Sequence, residues 1–162
     1  MSSMIDVDYI NPVIRALEDT FSTMLDTKIK RTGLELMENN QALHPVSGII
    51  GVSGKAIGTI VLSLSTASAL KAASTMLMVE KTAIDDEVLD AVGELTNMVT
   101  GGAKAQLEAF SLTMSLPNVL MGEGCRIHFP NNAHPIAIPF ACPWGALSLQ
   151  VGFVFPGGRP KK

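Results

Sequence analysis

At 162 residues the chain suits one domain with a hydrophobic core of its own, which a second copy can complete. Hydrophobic residues make up 47% and charged residues 17%, yet no stretch reaches the roughly 20 uninterrupted apolar residues of a membrane helix, so the apolar excess points to an interface rather than a bilayer. A net charge of -3 provides no basic field for a nucleic-acid backbone, and two cysteines, Cys125 and Cys142, are too few for a disulfide-dense scaffold.

No basic segment precedes an apolar run at the N-terminus, so a cytoplasmic location is the expectation. Residues 1–156 are expected to form the single domain. Residues 157–162, Gly-Gly-Arg-Pro-Lys-Lys, lack apolar periodicity and are expected to fray.

Between residues 10 and 25, Val13, Ile14, Leu17, Phe21, Met24 and Leu25 trace the apolar stripe of a first long amphipathic helix. Residues 27–36 are expected to be a strand and 38–45 a polar connection. The runs 46–52 and 56–64 flank Ser53-Gly54 and predict a β-hairpin. Gly48, Gly51 and Gly58 are unusual inside strands and signal bulges or the close approach of another element.

Ser65 or Thr66 can cap a short helix carrying Ala69, Leu70, Ala73, Met76 and Leu77, and Asp85 or Asp86 can cap a second long one. Beyond residue 110 the runs 112–121, 126–129, 135–141 and 146–155 are short and β-rich, punctuated by Pro, Gly and Asn. A long helix followed by strands ending in a hairpin therefore occurs twice. That order predicts an α/β (α+β) fold of duplicated α-β-β-β halves, with long helices packed on an antiparallel sheet.

The second long helix is where chemistry is expected. At about 100 degrees per residue, Glu87, Asp90, Glu94, Asn97, Gly101 and Lys104 form one polar stripe, while Val88, Val92, Leu95, Val99 and Ala103 face the core. A carboxylate stripe on a helix is commonly solvated decoration, and a Gly pair commonly ends a helix. Two details favour a site. Asn97 is a poor helix former in a helix interior, and Gly101-Gly102 cost roughly 2 kcal/mol against Ala if the helix runs through them into Ala103-Lys104-Ala105-Gln106. Paired glycines inside a helix remove side chains and let another element come close.

The segment Asp90-Ala91-Val92-Gly93-Glu94-Leu95-Thr96-Asn97-Met98-Val99-Thr100-Gly101-Gly102-Ala103-Lys104 resembles the active helix of the CheC/CheX/FliY family of chemotaxis phosphatases, most closely its CheX branch. The hairpin from Val46 to Gly54, the following Gly58-Thr59-Ile60, and Ile136-Ala137-Ile138-Pro139-Phe140 are similar to that family as well. The resemblance implies that the helix is laid on the phosphorylation site of a CheY-like response regulator and hastens hydrolysis of its aspartyl phosphate. Asn97 would match the residue that orients the attacking water, and Glu94 the one that meets a regulator lysine. Glu87, Asp90, Gly101 and Lys104 would border the docking face. The chain would need no cofactor of its own, Mg2+ belonging to the regulator. On the first helix Phe21 stands where a second Glu-x-x-Asn would need Asn, so one active helix per chain is implied, together with a homodimer formed through β-strands.

Two rivals complete the reading. A zinc site of Cys125, His128, His134 and Cys142 begins with a Cys-x-x-His spacing, but strand alternation would send 125 and 128 to opposite faces. A non-catalytic module of the flagellar-switch type would bind the phosphorylated regulator through Glu94 and Asn97 without hydrolysing it.

Overall fold

Strand alternation sorts the chain into two layers, three helices on one face of a single sheet, in a computed structural model that describes residues 7–158. In chain order these are α1 (Val7–Met24), β1 (Lys30–Arg31), β2 (Glu35–Leu36), β3 (Val46–Ser53), β4 (Ile57–Leu64), α2 (Thr66–Leu77) and α3 (Asp86–Gln106). A short 3-10 turn (Glu108–Phe110), β5 (Thr113–Met114), β6 (Asn118–Met121), β7 (Ile136–Ala141) and β8 (Leu147–Val154) follow. The last four residues of the expected tail lie outside the described residues, while Gly158 closes a turn by donating its N–H to the Phe155 carbonyl at 3.0 Å.

The eight strands pair antiparallel in the order β1-β7-β8-β4-β3-β5, with β2 also on β7 and β6 also on β3. Hairpins β3-β4 and β7-β8 lie side by side, joined by the β4-β8 ladder from Ile57↔Val154 to Leu64↔Leu147. The duplicated order is therefore built with an exchange. Each half sends its short leading strands to the other half's hairpin, β1 and β2 to β7, β5 and β6 to β3.

Residues with period two point into the helix layer. Val46, Ile50 and Val52 of β3, Ile60, Leu62 and Leu64 of β4, Ile136, Ile138 and Phe140 of β7, and Leu147, Leu149, Val151 and Phe153 of β8 are buried. They meet Ile10, Val13, Leu17 and Phe21 of α1 and Val92, Leu95, Val99 and Ala103 of α3 in one cluster. The opposite face carries Ser47, Thr59, Ser63, Ser148 and Gln150, all buried. Loops cover it there: Gln150 donates Nε2 to the Gln41 carbonyl at 2.9 Å and accepts the Leu43 N–H at 3.2 Å, pinning the segment over the sheet.

Three expected strands differ from the observed ones, the run 112–121 dividing into β5 and β6 on either side of Pro117. Residues 27–36 form two separate two-residue pairings, and the break lies opposite Pro139, which has no N–H to give to a ladder. Residues 126–129 make only an isolated bridge, Gln41↔Arg126. Their apolar alternation has another use, since Ile127 and Phe129 pack with Val61 and Ala42 to seal the sheet's outer face. No helix among the described residues is long and apolar enough to cross a membrane.

Candidate functional site on helix α3

Asp85 starts α3. Its backbone is extended, and its Oδ1 accepts the Val88 N–H at 3.0 Å, an N-cap that satisfies one of the helix's unpaired donors. Asp86 and Glu87 put negative charge in the first turn, where the helix dipole favours it. Half-buried Lys81 reaches Asp85 at 2.6 Å and Glu87 at 2.9 Å. The hydrogen bond with Asp85, then that with Glu87, pushes the Lys81 ammonium pKa up, and the Lys81 hydrogen bond followed by the Val88 N–H holds the Asp85 carboxyl down. Glu87, expected at the docking border, is thus already engaged within the chain.

The helical period sorts the remaining side chains as expected. Val88, Val92, Leu95, Val99 and Ala103 are buried; Asp90, Glu94 and Lys104 are exposed; Asn97 and Gly101 are half-buried. Leu95, between Glu94 and Thr96, is fully buried, and burying such a side chain contributes about 1.5–3 kcal/mol to holding the helix down. Glu94 and Asn97, three apart, are neighbours on the exposed face, with Cβ atoms about 5–6 Å apart by helix geometry. Among the described residues neither the Glu94 carboxylate nor the Asn97 carboxamide has a hydrogen-bond or ion-pair partner. Both are available to another molecule.

Small residues set how closely α3 is held. A Cβ at Gly48 of β3 would overlap the Thr96 hydroxyl and stand 2.8 Å from its Cβ. Thr96 is fully buried, and its hydroxyl is satisfied by donating to the Val92 carbonyl at 2.7 Å. Gly93 faces β6, where a Cβ would meet Val119 Cγ2 at 3.3 Å. The helix runs through Gly101-Gly102 to Gln106 instead of ending there. At Gly102 a Cβ would stand 3.2 Å from Ala16 Cβ, and beside it Arg15 Nε donates to Gln106 Oε1 at 3.1 Å, so α1 is the element that the second glycine admits. Sequence reading gave Thr96 and Gly93 no such role, although the signal existed: a strand glycine at 48 implies a close neighbour.

On α1, Phe21 is fully buried, with its ring 6.3 Å from that of Trp144. The position that would carry a second carboxamide is core. Among the described residues no group of three or more His, Cys, Asp or Glu could hold a metal, and the two cysteines pack in different clusters, Cys125 over the outer face and Cys142 against the main core. The 790 Å³ recess beside α2, lined by Lys71, Ser74, Met78 and Trp144 among others, includes neither Glu94 nor Asn97. The pair thus presents an open helix face, suited to a macromolecular partner rather than to an enclosed small molecule.

Residues 46–141, from the start of β3 to the end of β7 and including all of α3, match the family model described as chemotaxis phosphatase CheX. The chain belongs to the CheX family. It is 27% identical over 125 residues to the CheY-P phosphatase CheX of Thermotoga maritima, a stretch covering 75% of this chain and 81% of that protein. A CheC-like superfamily protein of Shewanella sp. PV-4 is 32% identical and superposes with a TM-score of 0.82, covering 93% of this chain and 99% of the other. The CheX fold also occurs in a CheX-CheY-BeF3-Mg2+ complex from Borrelia burgdorferi, 24% identical with a TM-score of 0.75, covering 91% of this chain and 99% of that one.

Proposed function

We propose that this CheX-family chain hastens hydrolysis of the aspartyl phosphate of a CheY-like response regulator by laying α3 on the regulator's phosphorylation site. The observation that carries the reading is the pair of unpartnered polar groups, Glu94 and Asn97, on the exposed face of a helix whose opposite face is fully packed. Phosphoryl transfer asks little covalent chemistry of the catalyst, so a rigidly held group that places a water in line with the phosphorus supplies much of the effect.

Asn97 is suited to that task. Its carboxamide oxygen accepts a hydrogen bond from the water while its NH2 donates to a phosphoryl oxygen, and it adds no negative charge. The water oxygen bonds to phosphorus as the bond to the regulator's aspartate breaks, releasing inorganic phosphate and a free carboxylate. The Glu94 carboxylate would be repelled by the phosphate and takes a regulator lysine instead, in a charge-assisted hydrogen bond that fixes the helix in register. Asp90 and Lys104 border the contact, with Gly101 between them and Glu87 at its end. Mg2+ belongs to the regulator's own acidic site in this reading, as the composition of the Borrelia complex suggests. A homodimer through strand edges is part of the proposal; Leu116 and Met121, exposed at the β5-β6 edge, supply apolar surface for it.

The deciding experiment follows phosphate loss from phosphorylated CheY-like regulators mixed with the wild-type chain, Asn97→Ala and Glu94→Ala. Acceleration by the wild type that vanishes in Asn97→Ala, with binding retained, supports the assignment. Binding without acceleration by the wild type would make the chain a docking module instead. Glu94→Ala should weaken complex formation, and unchanged affinity would remove its role as the cation partner.

A further inference from the structure

Among the described residues nothing requires glycine at position 101. It lies inside α3, five residues before the helix ends, where Gly costs roughly 1 kcal/mol relative to Ala. Such a cost is ordinarily offset by a backbone conformation closed to other residues or by a neighbour too near for a Cβ. Neither applies: its φ is ordinary for a helix, and beyond its chain neighbours and the helix's own backbone no heavy atom of the described residues lies within 4 Å of where a Cβ would stand. Gly102, one residue on, has the neighbour that Gly101 lacks, with Ala16 Cβ 3.2 Å away from the same construction.

The position also has a direction. Gly101 is one turn beyond Asn97 on the same face, and it forms the near wall of an open concavity of about 510 Å³ shared with Lys104, Leu107, Ser111 and Met114. A side chain there would stand between Asn97 and that concavity. Lys104 at its rim is exposed and has no ion-pair partner among the described residues.

We propose that Gly101 is a clearance position that sets regulator specificity: main chain of the phosphorylated regulator crosses the bare Cα of Gly101 and enters the concavity, and the space it needs is the reason for glycine. The inference rests on α3 being the docking helix. It adds that helix stability is given up at one residue for contact with a partner, and that any side chain there acts as a built-in clash.

The test measures stability and function on the same preparations of wild type, Gly101→Ala and Gly101→Leu. Thermal midpoints should rise in Gly101→Ala, since the helix gains propensity and nothing is crowded. Affinity for a regulator loaded with beryllofluoride should fall stepwise with side-chain size, by about tenfold or more for Gly101→Leu, and the Michaelis constant for the phosphorylated regulator should rise with little change in turnover at saturation. Unchanged affinity in both variants, with an active wild type, overturns the inference while leaving the catalytic reading standing. A Gly101→Ala protein that loses stability overturns it as well, because glycine would then have an internal purpose. A wild type that neither binds nor dephosphorylates any regulator overturns the functional reading itself.

Discussion

A methyl group added at Gly48 would overlap the Thr96 hydroxyl, so strand β3 and helix α3 touch where neither has room to spare. The contact lies one residue from Asn97 and fixes how deeply that part of α3 sits on the sheet. Gly48→Ala is expected to lower stability by about 1–3 kcal/mol, as overpacking of a filled core does. It should also slow phosphate release, because the helix must lift to accommodate the methyl. Adding Thr96→Ala should recover part of the stability and no more, since the residue 96 Cβ would still stand 2.8 Å from the new methyl. Urea titration of the two single variants and the double variant measures the coupling.

Replacing Asn97 by Asp keeps the shape of the side chain and adds a negative charge. If the proposed docking holds, with this face directed at a phosphoryl group, that charge repels the partner and removes the NH2 donor together. Asn97→Asp should therefore lose acceleration as Asn97→Ala does and bind the phosphorylated regulator more weakly than Asn97→Ala. Titrations at two ionic strengths check the cause, because added salt should narrow the gap between the two variants.

How much of this was legible beforehand depends on whether a residue's role is local or relayed. The stripe from Glu87 to Lys104 follows from helical period alone, and the buried face of α3 with it. The hairpins follow from the alternation and turn residues around Ser53-Gly54 and between Ala141 and Leu147. Ile127 and Phe129 misled because a loop capping a sheet shows the same apolar alternation as a strand. The division of 27–36 is governed by Pro139, more than a hundred residues away, and no local pattern could contain it. Thr96 sits between Glu94 and Asn97 in the motif segment, although its hydroxyl donates to the Val92 carbonyl and lies against Gly48.

His44 gives a pH signature to the strap over the sheet's outer face. Burial pushes its pKa below the ordinary 6.5, with the Glu123 carboxylate opposing the shift. A lowered histidine pKa in the folded state means that the unfolded chain binds the proton more readily. Its stabilising effect is full above pH 6.5 and diminishes as pH falls through the folded-state value. The His44 N–H donates to Ser63 Oγ at 2.9 Å, so the strap is anchored by backbone and should persist when the imidazole is changed. Urea midpoints measured from pH 8 to pH 5 should decline less steeply in His44→Gln than in the wild type. Identical slopes would show that His44 does not govern this window.

Under the proposed function, Phe21 limits the chain to one active helix. It is fully buried against the core and near Trp144, whereas Asn97 of α3 is half-buried at an exposed face. Writing the missing residue into α1 therefore cannot create a second site, since the carboxamide would point into apolar packing with its polar atoms unsatisfied. Phe21→Asn should cost about 3–5 kcal/mol from lost packing, and more where the amide stays dry. Phe21→Leu, which keeps an apolar side chain of smaller volume, should lose less and preserve activity. The measurement is the number of beryllofluoride-loaded regulators bound per chain, at a temperature where Phe21→Asn remains folded. One per chain is expected for all three proteins. Two per chain in Phe21→Asn would mean that α1 presents residue 21 to the solvent and that burial does not set the site count.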